Sequence, residues 1–217
     1  MARPLPTSSY AVLGLLSLTP MSGYDLAQAV DKSIGHFWPM SKTQVYSELG
    51  RLDSLGLVEG HAIEQERLPD KRVFRLTEAG SRALDQWLDS QDHEGPTFRI
   101  PALVKIFFGH RMSRERVAQV LEDVAGDADA ESEQLRGITE LLEQIPKAAH
   151  PWASALYGLR MSEACAAWSR EVRDRLAASD WARGHHDASL DSELARDLFE
   201  AAPAPRRGRR RRSGGPS

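Results

Sequence analysis

A short stretch near residue 45 carries the side chains with the clearest chemistry in this sequence. Lys42, Thr43 and Gln44 place an ammonium, a hydroxyl and an amide within one turn of a predicted helix. Groups of this kind bind base edges and phosphates of double-stranded DNA, and an amide can donate to and accept from adenine at once. Tyr46 and Arg51 follow and could reach phosphates through a hydroxyl and a guanidinium. The stretch alone fits either a DNA-reading helix or an ordinary amphipathic surface helix.

Both ends of this helix are marked in the sequence. Ser41 is a favourable N-cap and is itself one of the candidate DNA-binding residues, and it fits a capping box with Gln44 three residues later. This backbone role competes with base contact for the Gln44 amide. Gly56 supplies a left-handed residue of the type that ends helices. The apolar spacing of four, three and three predicts a buried face made of Val45, Leu49, Leu52 and Leu55.

The flanking segments predict a winged helix-turn-helix. Two helices precede the central one, over about 7–18 and 22–34, as judged from apolar spacing and a Thr-Pro break. The apolar residues of the second are Tyr24, Leu26, Ala27 and Val30. After Gly56 the pattern changes to strand, and 72–76 alternates charged and apolar residues. A helix capped by Thr77 follows. Three helices, a hairpin and a fourth helix are the element order of a winged helix-turn-helix domain.

Two basic residues, Arg67 and Lys71, lie at or beside the predicted hairpin tip. Basic side chains on such a wing could contact the DNA backbone or the minor groove. A charged hairpin tip is just as often solvated, so the alternative is an ordinary exposed turn.

The chain is predicted to divide into a DNA-binding domain at 1–91, a helical domain at 92–184 and a polar tail at 185–217. The second domain is predicted to open with a short apolar helix over 101–110, with Leu103, Ile106 and Phe107 on its core face. The clearest periodic signal lies in the second domain, and its apolar residues step by four and three with a break at Glu131: Val117, Leu121, Val124, Ala128, Leu135, Ile138, Leu142 and Ile145. A second amphipathic helix follows Pro151. Because two such helices carry more apolar surface than a pair can bury, we expect a homodimer. An intramolecular bundle against the first domain is the alternative.

Trp152 and Trp168, in the second domain, could stack a small aromatic effector, although structural packing is the competing role.

The sequence has no Gly-rich phosphate loop, nucleophile elbow or paired-carboxylate motif, so no catalytic residue and no cofactor are predicted. Cys165 is the single cysteine, which excludes a zinc finger, and no metal site is predicted.

The charge of the chain is unevenly distributed. The formal net charge is −3, but six arginines lie within 206–212, and without them 22 basic residues face 31 acidic ones, a formal charge of −9. Any DNA contact must therefore come from a local basic patch. The tail is rich in Pro, Arg and Gly and is expected to be largely disordered.

The sequence lacks an apolar run near membrane-spanning length, so we expect no membrane segment and a cytoplasmic location.

Taken together, the motifs resemble the PadR family of transcriptional regulators. The matching segments lie in the family's order at 10–16, 22–26, 37–39, 44–46, 56–58 and 72–80. The resemblance implies a winged-helix domain, a helical C-terminal dimerisation part and repression of a nearby promoter. Ser47 and Asp53 depart from the family, where proline and glutamate are usual.

The expected fold is mainly α with a small β-hairpin wing: an N-terminal winged helix-turn-helix domain followed by a C-terminal helical dimerisation domain. The expected function is a sequence-specific DNA-binding transcriptional repressor that acts as a homodimer, with release by a small-molecule effector as an added hypothesis. The alternative is a winged-helix protein–protein adaptor without sequence-specific DNA binding. An adaptor would need an apolar patch on the face that carries Lys42, Arg67 and Lys71, and the sequence has none there.

Overall fold

In a computed structural model the chain forms two compact units, residues 1–93 and 94–217. The structure describes residues 5–63, 71–90 and 98–178, together with positions 196, 197 and 200. Apart from these three positions, the predicted tail at 185–217 lies outside the described residues.

The first unit is a winged helix-turn-helix, which confirms the predicted fold class. Its elements in chain order are α1 Thr7–Leu18, β1 Met21–Ser22, α2 Gly23–Lys32, α3 Lys42–Ser54, β2 Val58–Ile63, β3 Lys71–Leu76 and α4 Glu78–Leu88. The three strands form an antiparallel sheet in the order β1-β3-β2. The two-residue strand β1 was not predicted, because so short a segment carries no alternating pattern.

Side-chain caps fix where the helices of this unit begin. Ser22 and Ser41 each form a capping box, with Asp25 and Gln44 respectively, as the sequence predicted for Ser41. Thr77 accepts a hydrogen bond from the Gly80 N–H at 3.1 Å and donates to the Gly56 carbonyl at 2.8 Å. The Thr77 cap therefore also ties the start of α4 to the turn that ends α3.

The core of this unit lies between α1, α2, α3 and the sheet, and Leu13, Leu26 and Leu52 are among its fully buried side chains. Two predicted core positions are wrong. Tyr24 is 55% exposed because it stands in the first turn of α2, where its ring turns outward. Leu55 is exposed because it follows the last residue of α3 as the C-cap.

The regular elements in the described part of the second unit are all helices. It contains α5 Pro101–Phe107, a short 3-10 turn at Gly109–Arg111, α6 Arg114–Glu143 and α7 Ala149–Ala178. Helices α6 and α7 pack antiparallel, since the side chains that join them run in opposite directions along the two helices. These ties are Arg114 to the Leu176 and Ala177 carbonyls, Glu122 to Arg173, Asp129 to Arg170, Arg136 to Glu163 and Glu143 to Trp152.

Most of the side chains buried along α6 and α7 are small, and the others are leucines and a valine. The buried residues are Val120, Leu121, Ala125, Ala128, Ser132, Leu135 and Thr139 on α6, and Ala155, Leu159, Ser162, Ala166 and Ser169 on α7. The predicted seam is only partly inside this contact: Leu121, Ala128 and Leu135 are buried, whereas Ile145 is exposed. The buried face of α6 also includes Val120, Ala125, Ser132 and Thr139, which lie outside the predicted seam.

Helix α5 differs from its prediction as well. Leu103 and Phe107 were expected on a core face, but both are exposed, as are the neighbouring Val104 and Phe108. Within the described residues, α5 buries none of its own side chains. The second unit thus presents apolar side chains on its surface.

Candidate nucleic-acid interface

One face of helix α3 is buried in the core of the first unit, and the opposite face is exposed to solvent. Val45, Leu49 and Leu52 are buried in the core. Opposite them, a line of small, exposed residues follows the helical repeat: Thr43, Ser47, Gly50 and Ser54. We call these four residues the outward strip. Because they are short, a helix carrying them can approach a groove floor closely.

The capping box at the start of α3 occupies Gln44. Its side-chain carbonyl oxygen accepts a hydrogen bond from the Ser41 N–H at 2.8 Å, and Ser41 Oγ accepts from the Gln44 N–H at 3.2 Å. Of the two roles left open by the sequence, the backbone role is therefore the one present in this structure. A bidentate contact with adenine would require the cap to open, because that contact uses the same oxygen.

One flank of the outward strip carries an ammonium and two phenols. The Lys42 ammonium lies 5.7 Å from the centre of the Tyr24 ring, a cation–π contact. The Tyr46 ring packs on Gly23, where an added Cβ would come within 2.4 Å of the ring. Tyr24 and Tyr46 both remain more than half exposed. Hydrogen-bond donors grouped at the edge of a recognition helix are suited to phosphate contacts.

Tyr24 is a candidate that sequence reasoning missed. It was assigned to the apolar face of α2 by its spacing. The signal that could have identified it is its place directly after the Ser22 cap, because the first turn of the second helix in such domains crosses the DNA backbone.

Arg51 lies on the opposite flank of the strip. Its Nη2 atom is 3.3 Å from Oε1 of Glu48, one turn earlier on α3. The sequence left open whether Arg51 reaches a phosphate or pairs with Glu48, and in this structure the pair is formed. The side chain is 44% exposed, so its remaining donors are open to solvent.

The arginines of the wing strands are paired with carboxylates. Arg72 donates to Asp53 at the end of α3 at 2.8 Å, and its guanidinium lies 5.0 Å from the centre of the Phe74 ring. Arg75 donates to Glu59, its register partner on β2, at 2.7 Å. The Arg72 pair fastens the wing to α3, the Arg75 pair joins the two wing strands, and both neutralise positive charge on the wing.

The two predicted wing-tip contacts lie at positions whose side chains the structure does not describe. Arg67 falls outside the described residues. Lys71 is the first residue of β3 and pairs in register with Ile63, but its side chain also lies outside what is described. Both stay predictions.

The structure does not bring Trp152 and Trp168 together within one chain. Both are half-buried on α7, and sixteen residues of helix separate them by about 24 Å. The Trp152 Nε1–H donates to Glu143 Oε1 at 3.1 Å across the turn between α6 and α7. The two indoles therefore cannot stack on one small ligand in a single chain.

Other chemistry in the described part of the chain is sparse. Burial, with a smaller contribution from the Glu131 charge, raises the pKa of the Cys165 thiol. Among the described residues, His, Cys, Asp and Glu side chains form no group of three or more suited to a metal ion. Every described helix is too short or too polar to cross a membrane.

Each of the two units matches a known protein-family model. Residues 12–86 match the model of the transcriptional regulator PadR-like family, and residues 98–177 match the model named virulence activator alpha C-term. The chain belongs to the PadR family. It is a transcriptional regulator and not an enzyme.

Relatives of this PadR-family regulator include solved structures. The negative transcriptional regulator PadR of Bacillus subtilis is 29% identical over 133 residues, which are 61% of this chain and 73% of that protein. Bacillus subtilis PadR in complex with operator DNA superposes with a TM-score of 0.70 at 24% identity, covering 79% of this chain and 99% of the other. The same protein with p-coumaric acid gives a TM-score of 0.64 at 21% identity, covering 82% and 100%. These structures share the fold.

Proposed function

We propose that this PadR-family regulator is a cytoplasmic repressor that binds a specific DNA site as a homodimer. The observation that carries the proposal is α3, whose outward strip of small residues lies between Lys42, Tyr24 and Tyr46 on one flank and Arg51 on the other. A helix of this kind fits the major groove, with its N-terminal turn at the base edges. The related PadR solved with operator DNA has the same fold.

Repression is proposed because the relative from Bacillus subtilis is a negative regulator. A promoter site occupied by a dimer would be closed to RNA polymerase. The adaptor alternative is disfavoured, since the outward strip is polar and small rather than apolar.

Dimerisation is proposed through the second unit. Apolar side chains on α5 are exposed, and Val124 and Ile138 of the predicted seam are only half-buried beside the α6–α7 contact. Burying such surface against a second copy would stabilise both chains. A two-fold dimer would place its recognition helices about 34 Å apart, or at a multiple of that distance, on one side of the duplex.

Release by a small aromatic effector completes the proposal. A related PadR has been solved with p-coumaric acid, a planar aromatic acid. Since Trp152 and Trp168 lie far apart on α7, a ligand would contact one of them at most in each chain.

Binding to fragments from upstream of the gene for this protein tests the proposal. Lys42→Ala should weaken specific binding by about 1–3 kcal/mol if Lys42 contacts a base. Lys147→Ala removes the same charge from the exposed turn between α6 and α7 in the other unit and serves as the matched control, with no loss of affinity expected. Unchanged affinity for both Lys42→Ala and Gln44→Ala would exclude this face of α3 as the reading surface.

A further inference from the structure

A buried carboxylate lies on the inner side of α3, away from the outward strip. The Glu48 side chain is only 9% exposed. Its Oε2 accepts a hydrogen bond from Ser9 Oγ at 2.6 Å, and its Oε1 accepts from Ser8 Oγ at 2.9 Å. Two consecutive hydroxyls at the start of α1 therefore hold the two oxygens of one carboxylate on α3.

The charge of Glu48 is balanced from the same helix. Among the described residues, Arg51 is the only cation recorded within ion-pair distance of Glu48. Its guanidinium meets Oε1, the oxygen that also accepts from Ser8, and the Arg51 side chain is 44% exposed to solvent. The four residues form a continuous polar chain from the interior of the unit to its proposed DNA-contacting surface.

Packing alone does not account for a carboxylate here. Burying a charge is costly, and an apolar side chain of similar volume usually fills such a position as well or better. A fixed carboxylate does something that an apolar group cannot do, because it orients a guanidinium. The planar fork of arginine can bind a carboxylate with one edge and a phosphate with another.

We propose that Glu48 is a positioning residue, which Ser8 and Ser9 fix on α1 and which holds the Arg51 guanidinium ready for a DNA phosphate. The inference rests on the proposed DNA binding. It adds that the start of α1 takes part in operator affinity through Glu48, without touching DNA.

A double-mutant cycle on operator affinity tests this role. Glu48→Gln keeps the side-chain volume and can still bond to the serine hydroxyls, but it releases Arg51. We expect affinity to fall about fivefold for Glu48→Gln and about tenfold for Arg51→Ala, and the double variant to match Arg51→Ala alone, because residues in contact couple. Glu140→Gln, which neutralises an exposed carboxylate on α6, should leave affinity unchanged.

The sign of the Glu48→Gln effect separates positioning from simple electrostatics. Removing a negative charge beside DNA strengthens binding if charge alone matters. Equal or tighter binding by Glu48→Gln would therefore overturn the proposal, and so would a loss that persists undiminished in the Arg51→Ala background. The second outcome would mean that Glu48 acts only by packing α3 on α1.

Two further measurements keep the test decisive. If Glu48→Gln does not fold by circular dichroism, Arg51→Lys replaces it, since lysine keeps the charge but lacks the planar fork. A loss of affinity close to that of Arg51→Ala is expected, and wild-type affinity would overturn the proposal. If the wild-type chain binds no DNA fragment in preference to others, the proposed function itself fails. If the wild-type chain binds a specific fragment and Glu48→Gln binds it with the same affinity, only the proposed role of Glu48 fails.

Discussion

Gly50 gives a prediction in which stability and DNA affinity change in opposite directions. It lies in the middle of α3 on the outward strip, and a Cβ added there would meet no other atom within 4 Å. Glycine inside a helix costs about 0.5–1 kcal/mol relative to alanine. Since nothing in the fold opposes the added methyl group, Gly50→Ala should raise the free energy of unfolding by about that amount.

The same methyl group should weaken operator binding. If the outward strip faces the floor of the major groove, Gly50 marks a point of close approach between the helix backbone and DNA. Pushing α3 outward at this point would disturb contacts on both flanks, and the loss should be comparable to that of one good base contact, about 1–3 kcal/mol. A more stable protein that binds its operator less tightly is the expected result.

Two assays and one matched variant make the comparison. Urea unfolding followed by circular dichroism gives the stability change, and fluorescence anisotropy with a labelled operator at fixed salt gives the affinity. Gly126→Ala is the control, because Gly126 lies inside α6 with equally open surroundings. It should also stabilise the protein, but it should leave DNA affinity unchanged.

Two results would refute this reasoning. Wild-type affinity in Gly50→Ala would mean that the outward strip does not approach DNA. A loss of stability in Gly50→Ala, with a gain in Gly126→Ala, would mean that the surroundings of Gly50 are not open in solution.

Three further predictions concern other parts of the chain. Gly80→Ala should lower the free energy of unfolding by about 2–4 kcal/mol, because its Cβ would lie 2.0 Å from the Leu57 carbonyl oxygen and would disturb the cap of α4; a denaturation midpoint equal to wild type would contradict this. The raised pKa of Cys165 leaves less of its thiol as thiolate at pH 8. Iodoacetamide should therefore alkylate Cys165 more slowly than it alkylates free glutathione, and an equal or faster rate would argue against burial of the thiol. Deleting 201–217, with its six arginines, should reduce affinity for all DNA alike and flatten the salt dependence; a change in the preferred sequence would contradict a purely nonspecific role.

Short-range signals predicted much of the first unit. The cap at Ser41, the buried face of α3 and the hairpin all depend on residues a few positions apart, and each formed as expected except at Leu55. Strand β1 was missed because its pairing with β3 joins residues about fifty positions apart. Tyr24 was misplaced because periodicity does not tell which way a first-turn side chain points.

Contacts between distant segments could not be read from the sequence. The Glu48 site joins residues that are 39 and 40 positions apart, and neither serine pattern nor helix periodicity signals it. The α6–α7 contact depends on where α7 places its small residues, so the apolar seam of α6 alone could not locate it. The likeness of residues 12–86 to PadR-like regulators established the class of protein, whereas the residues that touch DNA remain proposals.

Hydroxyl-radical footprinting of the full-length protein on DNA from upstream of its own gene tests the central claim most directly. We expect two protected half-sites of related sequence, about one or two helical turns apart on one side of the duplex, as a two-fold dimer of recognition helices requires. Protection that is lost in Lys42→Ala but kept in Lys147→Ala would assign the footprint to α3. Uniform protection without sequence preference, or none at all, would contradict a specific DNA-binding regulator.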